Sequence, residues 1–153
     1  MTESLSIEQY ETVAHEVVKA YEAIEDVVKD NENRRGRFVA CLLRTGGHDF
    51  MDFKHDEEEM GGSDGCINLN DPDNKGIEQC VNNFGIPAVY DQVKDFVSFA
   101  DFLVIAGQAS AARAATNPEK LAETFRDGFK YGRRTVKECE WNVHRMPNPE
   151  NGC

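Results

Sequence analysis

The stretch of sequence from Arg44 to Asn74 reads RTGGHDFMDFKHDEEEMGGSDGCINLNDPDN. If its start is helical, Arg44 and His48 lie four residues apart and share one face of the helix. A guanidinium beside a neutral imidazole suits the cleavage of a peroxide. The imidazole takes a proton from hydrogen peroxide, and the cation stabilises charge on the departing oxygen. The same spacing also fits an ordinary helix with one core-facing histidine and one surface arginine.

Apolar residues before this stretch recur at three- and four-residue spacing, which predicts helices. The first helix should begin at Ser6, which with Gln9 forms a capping-box pattern. Its buried stripe is predicted to contain Ile7, Tyr10, Val13, Ala14, Val17, Val18, Tyr21, Ile24, Val27 and Val28. A second helix is predicted over 37–48 and carries Arg44 and His48.

The sequence after Asn74 is also helical in pattern. Residues 76–96 form a helical pattern that is interrupted at Gly85 and Pro87. Ser98 and Asp101 form a second capping-box pattern before an apolar helix that runs through Ala112, and this helix should be buried at the centre. A short helix is predicted over 119–126. No strand pattern of any length occurs, so the predicted fold is all-α, that is, mostly helical.

Composition narrows the classes of partner. The chain has 153 residues and a formal net charge of −11, which predicts one domain, or one half of a larger one, that does not bind nucleic acid. No apolar run approaches the ~20 residues of a membrane span. We therefore expect no membrane span, and Met1-Thr-Glu-Ser shows no signal-peptide pattern.

Five cysteines are many for a chain of this size, and their number is odd. None forms a close Cys-x-x-Cys pair, which argues against a structural zinc site. Oxidised pairs with one thiol left over, or one bond to another chain, both fit the count. We predict that Cys139 pairs with Cys153, and as a further candidate that Cys66 pairs with Cys80 and leaves Cys41 buried and free. Cysteine usage favours an oxidising compartment, either secreted or an organelle lumen.

Five segments occur in an order that resembles the plant, fungal and bacterial haem peroxidase superfamily. They are Arg44-Thr-Gly-Gly-His48-Asp49, Gly61-Gly62-Ser63-Asp64-Gly65-Cys66-Ile67, Asp73-Asn74-Lys75-Gly76-Ile77, Val97-Ser98-Phe99-Ala100-Asp101-Phe102 and Phe129-Lys130-Tyr131-Gly132-Arg133. They look like, in turn, that family's distal Arg-x-x-x-His-Asp, its distal calcium loop, its Asn-x-Gly segment, its central helix and its Phe-x-x-Gly-Arg turn. The resemblance covers almost all of residues 1–153, as a peroxidase-like distal domain.

The resemblance implies a role for each matching residue. His48 would be the acid and base that moves the peroxide proton, and Arg44 would stabilise heterolytic O–O cleavage. Asn74 would accept a hydrogen bond from the His48 ring and keep the other nitrogen free as a base. The family's distal calcium ligands fall at Asp49, Gly62, Asp64 and Cys66. The implied cofactors are haem b and calcium.

The chain departs from the family pattern at three places in this half. Gly47 stands where the family has an aromatic residue, which would leave the pocket roof open. Cys66 stands where serine is usual, which weakens calcium binding and allows a disulfide instead. The spacing from Asn74 to Ser98 is longer than usual, so Asn83 is a rival for the asparagine role.

The largest departure concerns the proximal half of the family's domain, which carries the histidine that binds the haem iron. Neither His15, His55 nor His144 lies in a context that would replace that ligand. The resemblance therefore implies a peroxide-dependent oxidoreductase of small donors whose proximal half comes from a second chain. The alternative is a non-catalytic peroxidase-like subunit of a larger assembly.

Overall fold

The computed structural model describes residues 5–25, 33–56, 58, 61–140, 144 and 146. These residues form α1 (Ile7–Glu22), α2 (Arg34–Met51), α3 (Ile77–Asn83), α4 (Ile86–Asp91), α5 (Phe99–Ala114) and α6 (Pro118–Gly128), with a 3₁₀ turn over Pro72–Asn74. No strand occurs among them, so the all-α prediction is confirmed. Within the same residues, no helix is both long enough and apolar enough to cross a membrane.

Helix α5 is the centre of the fold, as its apolar sequence predicts. It is buried on nearly every side, and α1, α2 and α6 pack around it. Ser98 caps its first turn by accepting a hydrogen bond from the Asp101 amide at 3.1 Å. In the predicted capping box, the Asp101 carboxylate would accept a hydrogen bond from the Ser98 amide. It instead accepts from the Gly132 amide at 2.7 Å and from the Arg133 guanidinium at 2.8 Å.

Helix α1 has the predicted capping box between Ser6 and Gln9. Its buried stripe faces the core through Tyr10, Val13, Val17 and Tyr21. The prediction was wrong for Ile7, which is 65% exposed because the buried stripe starts only at Tyr10, one turn further into the helix. Val27 and Val28 lie outside the described residues.

Helix α2 is longer at both ends than predicted. Asn33 caps its start by accepting a hydrogen bond from the Gly36 amide at 2.7 Å, so the arginine-rich segment after it is helical. The predicted interruption after residue 76 is real. Gly85 adopts a left-handed conformation with φ of 65°, which separates α3 from α4 and which glycine tolerates without steric cost.

Two disulfides join distant parts of the chain, and they correct the predicted cysteine pairs. Cys41 on α2 bonds to Cys80 on α3, and Cys66 bonds to Cys139. The predicted bonds from Cys139 to Cys153 and from Cys66 to Cys80 were therefore wrong, and Cys41 is not free. Pairing follows spatial proximity, with Cα atoms 5.9 and 5.8 Å apart, rather than proximity along the sequence. Cys153 itself lies outside the described residues.

Candidate functional site

The structure brings His48 and Asn74 together. Nδ1 of His48 lies 2.8 Å from Oδ1 of Asn74, although the two residues are 26 positions apart. His48 is half-buried on α2, and Asn74 is buried at the end of the 3₁₀ turn. The rival residue, Asn83, is exposed at the end of α3. The asparagine next to the imidazole is therefore the one that the Asp73-Asn74-Lys75-Gly76 segment predicts.

The hydrogen-bond chain fixes which ring nitrogen of His48 carries the proton. The amide nitrogen of Asn74 donates to the backbone carbonyl of Asn68 at 2.8 Å, and a carbonyl can only accept. The side-chain oxygen of Asn74 must then face His48, so Nδ1 is the donor in the neutral imidazole. Nε2 is left with its lone pair and is available as a base.

Asn68 is a residue that sequence reasoning missed. It is buried, and its side chain accepts from the Asn70 amide at 3.0 Å and donates to the Glu140 carbonyl at 3.1 Å. These two hydrogen bonds fix the position of Asn68, and the backbone carbonyl of Asn68 in turn orients the side chain of Asn74. The Asn68-x-Asn70 pattern indicates a local turn. The sequence does not reveal that Asn68 orients Asn74, because Asn68 does so through its backbone carbonyl, which every residue has.

Arg44 reaches the same segment from one turn earlier on α2. Its Nη2 donates to the backbone carbonyl of Lys75 at 3.0 Å, and Arg44 as a whole is exposed. A Cβ atom at Gly76 would lie 3.6 Å from Nη1 of Arg44, so the guanidinium runs along this backbone. Arg44, His48 and Asn74 thus form one connected cluster on an open surface.

The face of α2 beside this cluster is apolar and exposed. Leu43 is 51% exposed and Phe50 is 57% exposed, and Gly47 lies between them on the same side. The nearest described atom to a Cβ at Gly47 would be the terminal methyl of Met51, at 3.6 Å. Because residue 47 is glycine, it places no aromatic ring beside the half-buried His48.

Asp49 points away from the cluster and into the protein. It is 1% exposed, and the nearby Gly65 and Cys66 amides do not reach its carboxylate oxygens with normal hydrogen-bond geometry. Burial, followed by the charge of Asp64, raises the pKa of Asp49 to about 7, against an opposing effect of the Gly65 and Cys66 amides. A carboxylate buried this deeply and only weakly served by backbone amides is costly to ionise.

The loop beside Asp49 has oxygen ligands of the kind that calcium prefers. Burial raises the pKa of Asp64, whose side chain accepts from the Cys66 amide at 2.9 Å. Gly62 donates its amide to Asp52 at 2.7 Å. The Cys66 sulfur is in the disulfide to Cys139, which leaves only its backbone carbonyl as a ligand. Oxygen atoms of Asp49, Gly62, Asp64 and Cys66 are thus the ones that the predicted calcium site would use.

A second group of possible ligand atoms lies elsewhere. Side-chain atoms of Asp71, Asp73 and His144 come within 4.8 Å of one another. The two Asp71 oxygens already accept from the backbone amides of Asp73 at 2.9 Å and His144 at 2.6 Å. Asp71 therefore anchors the turn before Asn74 to the C-terminal segment, a contact that spans 73 residues and has no local sequence signal.

The other described histidines are all exposed. His15 is exposed on α1, and His144 is exposed at the C-terminal segment. His55 is exposed and its ring contacts the neighbouring Asp56 at 2.9 Å. Among the described histidines, His48 is thus the half-buried one, and its ring is hydrogen-bonded to Asn74.

Comparisons of this chain with protein-family models, with curated proteins and with solved structures found no match.

Proposed function

We propose that this chain forms the distal wall of a haem-peroxidase-type site, and that a second segment or chain supplies the proximal wall with its axial histidine. The observation that carries the proposal is the hydrogen-bond chain from His48 through Asn74 to the Asn68 carbonyl. An ordinary surface histidine needs no such support. A buried asparagine that fixes the tautomer serves a ring whose other nitrogen must accept a proton.

The chain's own residues would handle the peroxide proton. Nε2 of His48 would take a proton from one oxygen of hydrogen peroxide and deliver it to the departing oxygen. Arg44 retains donors beyond the one bound to Lys75, and these would stabilise negative charge on that oxygen. Bound haem would supply the redox chemistry, and the oxidised substrate would be a small donor.

The exposed apolar face of α2 supports the requirement for a partner. Leu43 and Phe50 lie seven residues apart on a face adjacent to that of Arg44 and His48. Large apolar side chains that are half exposed beside a polar cluster are typical of a surface that another segment covers. The proximal half, with haem between the two walls, would cover this surface.

Calcium is the second cofactor in the proposal. Asp49, Asp64 and the carbonyls of Gly62 and Cys66 would hold it, because oxygen ligands from a loop and carboxylates suit this ion. Its role would be to fix the end of α2 against the loop over 61–66. The ion would thereby hold His48, the residue next to Asp49, in position.

Haem capture tests the proposal. The full chain is mixed with haem and with a separately produced proximal half of a haem peroxidase that carries the axial histidine. We expect an absorption band of protein-bound haem only when both halves are present, and loss of complex formation in Leu43→Glu/Phe50→Glu. Ile7→Glu is the matched control, because Ile7 is an exposed apolar residue on α1. Failure of a folded chain to assemble with haem and several proximal halves would contradict the proposal.

The alternative is a non-catalytic peroxidase-like subunit of a larger assembly. The same exposed Leu43 and Phe50 favour it, and so does Gly47 in place of an aromatic residue. This reading expects the two halves to associate without haem. It also expects His48→Leu to leave every measurable property of the assembled complex unchanged.

A further inference from the structure

A groove of about 630 Å³ lies between α2 and α3, apart from the calcium loop. Its α2 side carries Arg34, Arg37 and Arg44, and the Cys41–Cys80 disulfide lies between its walls. The described residues that line it include no Asp or Glu. Three arginines thus line one groove in a chain with 28 acidic and 17 basic residues, and Arg37 among them already has a protein partner.

The three arginines share one face of α2. Arg34 and Arg37 lie three residues apart, and Arg44 follows Arg37 by seven, which keeps all of them on the groove side. The first turn of α2 contains no acidic residue, so Arg34 adds to the positive end of the helix dipole instead of offsetting it. The arrangement raises the positive potential at this end of the groove.

Donors remain for a ligand. Arg44 gives one N–H to the Lys75 carbonyl, and a guanidinium has five. The α3 side adds the amide side chains of Gln79 and Asn83, both exposed. These groups bind carboxylate or phosphate oxygens, and arginine does so with two parallel hydrogen bonds.

Part of the groove lining is apolar. Phe84 lines it, and its ring is held edge-on against Phe38 with centroids 5.5 Å apart. The disulfide and Ala40 add further apolar surface. A ligand with a carbon skeleton would contact these groups, whereas a bare inorganic ion would not.

We propose that this groove binds a small organic anion that carries two or more carboxylate or phosphate groups. The volume falls within the roughly 300–1,000 Å³ range of small-molecule sites. Arg34 and Arg37 are about 4.5 Å apart along the helix axis, at ~1.5 Å per residue, so two anionic groups of one small molecule can contact both. The inference does not depend on haem, because the groove is built from this chain alone.

Isothermal titration of the full chain with citrate and with pyrophosphate tests the inference. We expect saturable one-to-one binding of at least one probe, weakened tenfold or more in Arg34→Gln/Arg37→Gln. Arg34→Gln alone should weaken binding by a smaller factor, and it keeps the test informative if the double variant fails to fold. Preference for citrate or for pyrophosphate identifies carboxylate or phosphate as the natural group.

The charge-matched control is Arg134→Gln/Lys137→Gln, which removes two exposed cations outside the groove. We expect this control to bind like the original chain. Three results would overturn the inference: no saturable binding of either probe, equal weakening in the control, or unchanged binding in the folded Arg34 variants.

Discussion

Nδ1 of His48 lies 2.8 Å from the side-chain oxygen of Asn74, and the amide nitrogen of Asn74 lies 2.8 Å from the Asn68 carbonyl. This chain of bonds allows only one arrangement of a neutral His48, with the proton on Nδ1 and the lone pair on Nε2. On the same helix, Arg44 binds the carbonyl of Lys75, the residue after Asn74. One short segment therefore positions both candidate catalytic side chains.

Replacement of Asn74 by alanine should destabilise the protein and release the His48 tautomer. The variant leaves the buried Asn68 carbonyl without its donor, which costs about 1–3 kcal/mol in the free energy of unfolding. We expect the ¹⁵N chemical shifts of His48 to change from one tautomer to a mixture. Asn83→Ala is the control, because Asn83 is exposed at the end of α3, and it should cost less than about 0.5 kcal/mol. Equal effects of the two variants would contradict the assignment.

Calcium should stabilise the chain through Asp49. At a calcium concentration 100 times the dissociation constant, binding to the folded state alone adds about 2.7 kcal/mol. Thermal unfolding in calcium and in a chelator measures this difference. We expect it to vanish in Asp49→Asn and to persist in Asp56→Asn, which alters an exposed carboxylate of the neighbouring loop. A calcium response that survives in Asp49→Asn would show that the ion binds elsewhere.

Without calcium, Asp49 should make stability fall as pH rises. Its folded pKa of about 7 lies above the ordinary value of 3.8, so the folded state keeps a proton that the unfolded state has lost. The contribution is fully present below pH 3.8 and is lost as pH rises to about 7, by at most about 1.4 kcal/mol per pH unit. Urea unfolding across this range should show the slope as a difference between the original chain and Asp49→Asn. A constant difference would contradict the raised pKa.

The two disulfides should each contribute to stability. They span 39 and 73 residues, and the chain-entropy model assigns roughly 4 kcal/mol to loops of these lengths. We expect Cys41→Ala/Cys80→Ala and Cys66→Ala/Cys139→Ala each to lower the free energy of unfolding by about 2–4 kcal/mol. Non-reducing peptide mapping should recover both pairs. A Cys139–Cys153 peptide would contradict the second bond.

The sequence predicts structural features that depend on residues close together in the chain. It does not predict those that depend on contacts between distant residues. Helical periodicity identified α5 as the central helix, and Ser98 as its cap. The Asp101 carboxylate looked like the second half of a capping box, but Gly132 and Arg133 bind it from some thirty residues away. Tertiary contact overrode the local pattern there.

The candidate site shows the same division. Arg44, His48 and Asn74 were predicted by motif, and the structure brings them together. Asn68 was missed because it acts through a backbone carbonyl. The cysteine pairs were wrong because the packing of α2 against α3, which brings Cys41 beside Cys80, has no signature in the spacing of cysteines.

The most direct test of the central claim is the rate at which the assembled complex of this chain, haem and a proximal half consumes hydrogen peroxide. General acid–base catalysis by one positioned side chain contributes roughly 10²- to 10⁴-fold. We predict that His48→Leu lowers the second-order rate constant by at least 100-fold, while His15→Leu, on the exposed side of α1, leaves it unchanged. A complex that binds haem and consumes peroxide equally fast with and without the His48 imidazole would contradict the account.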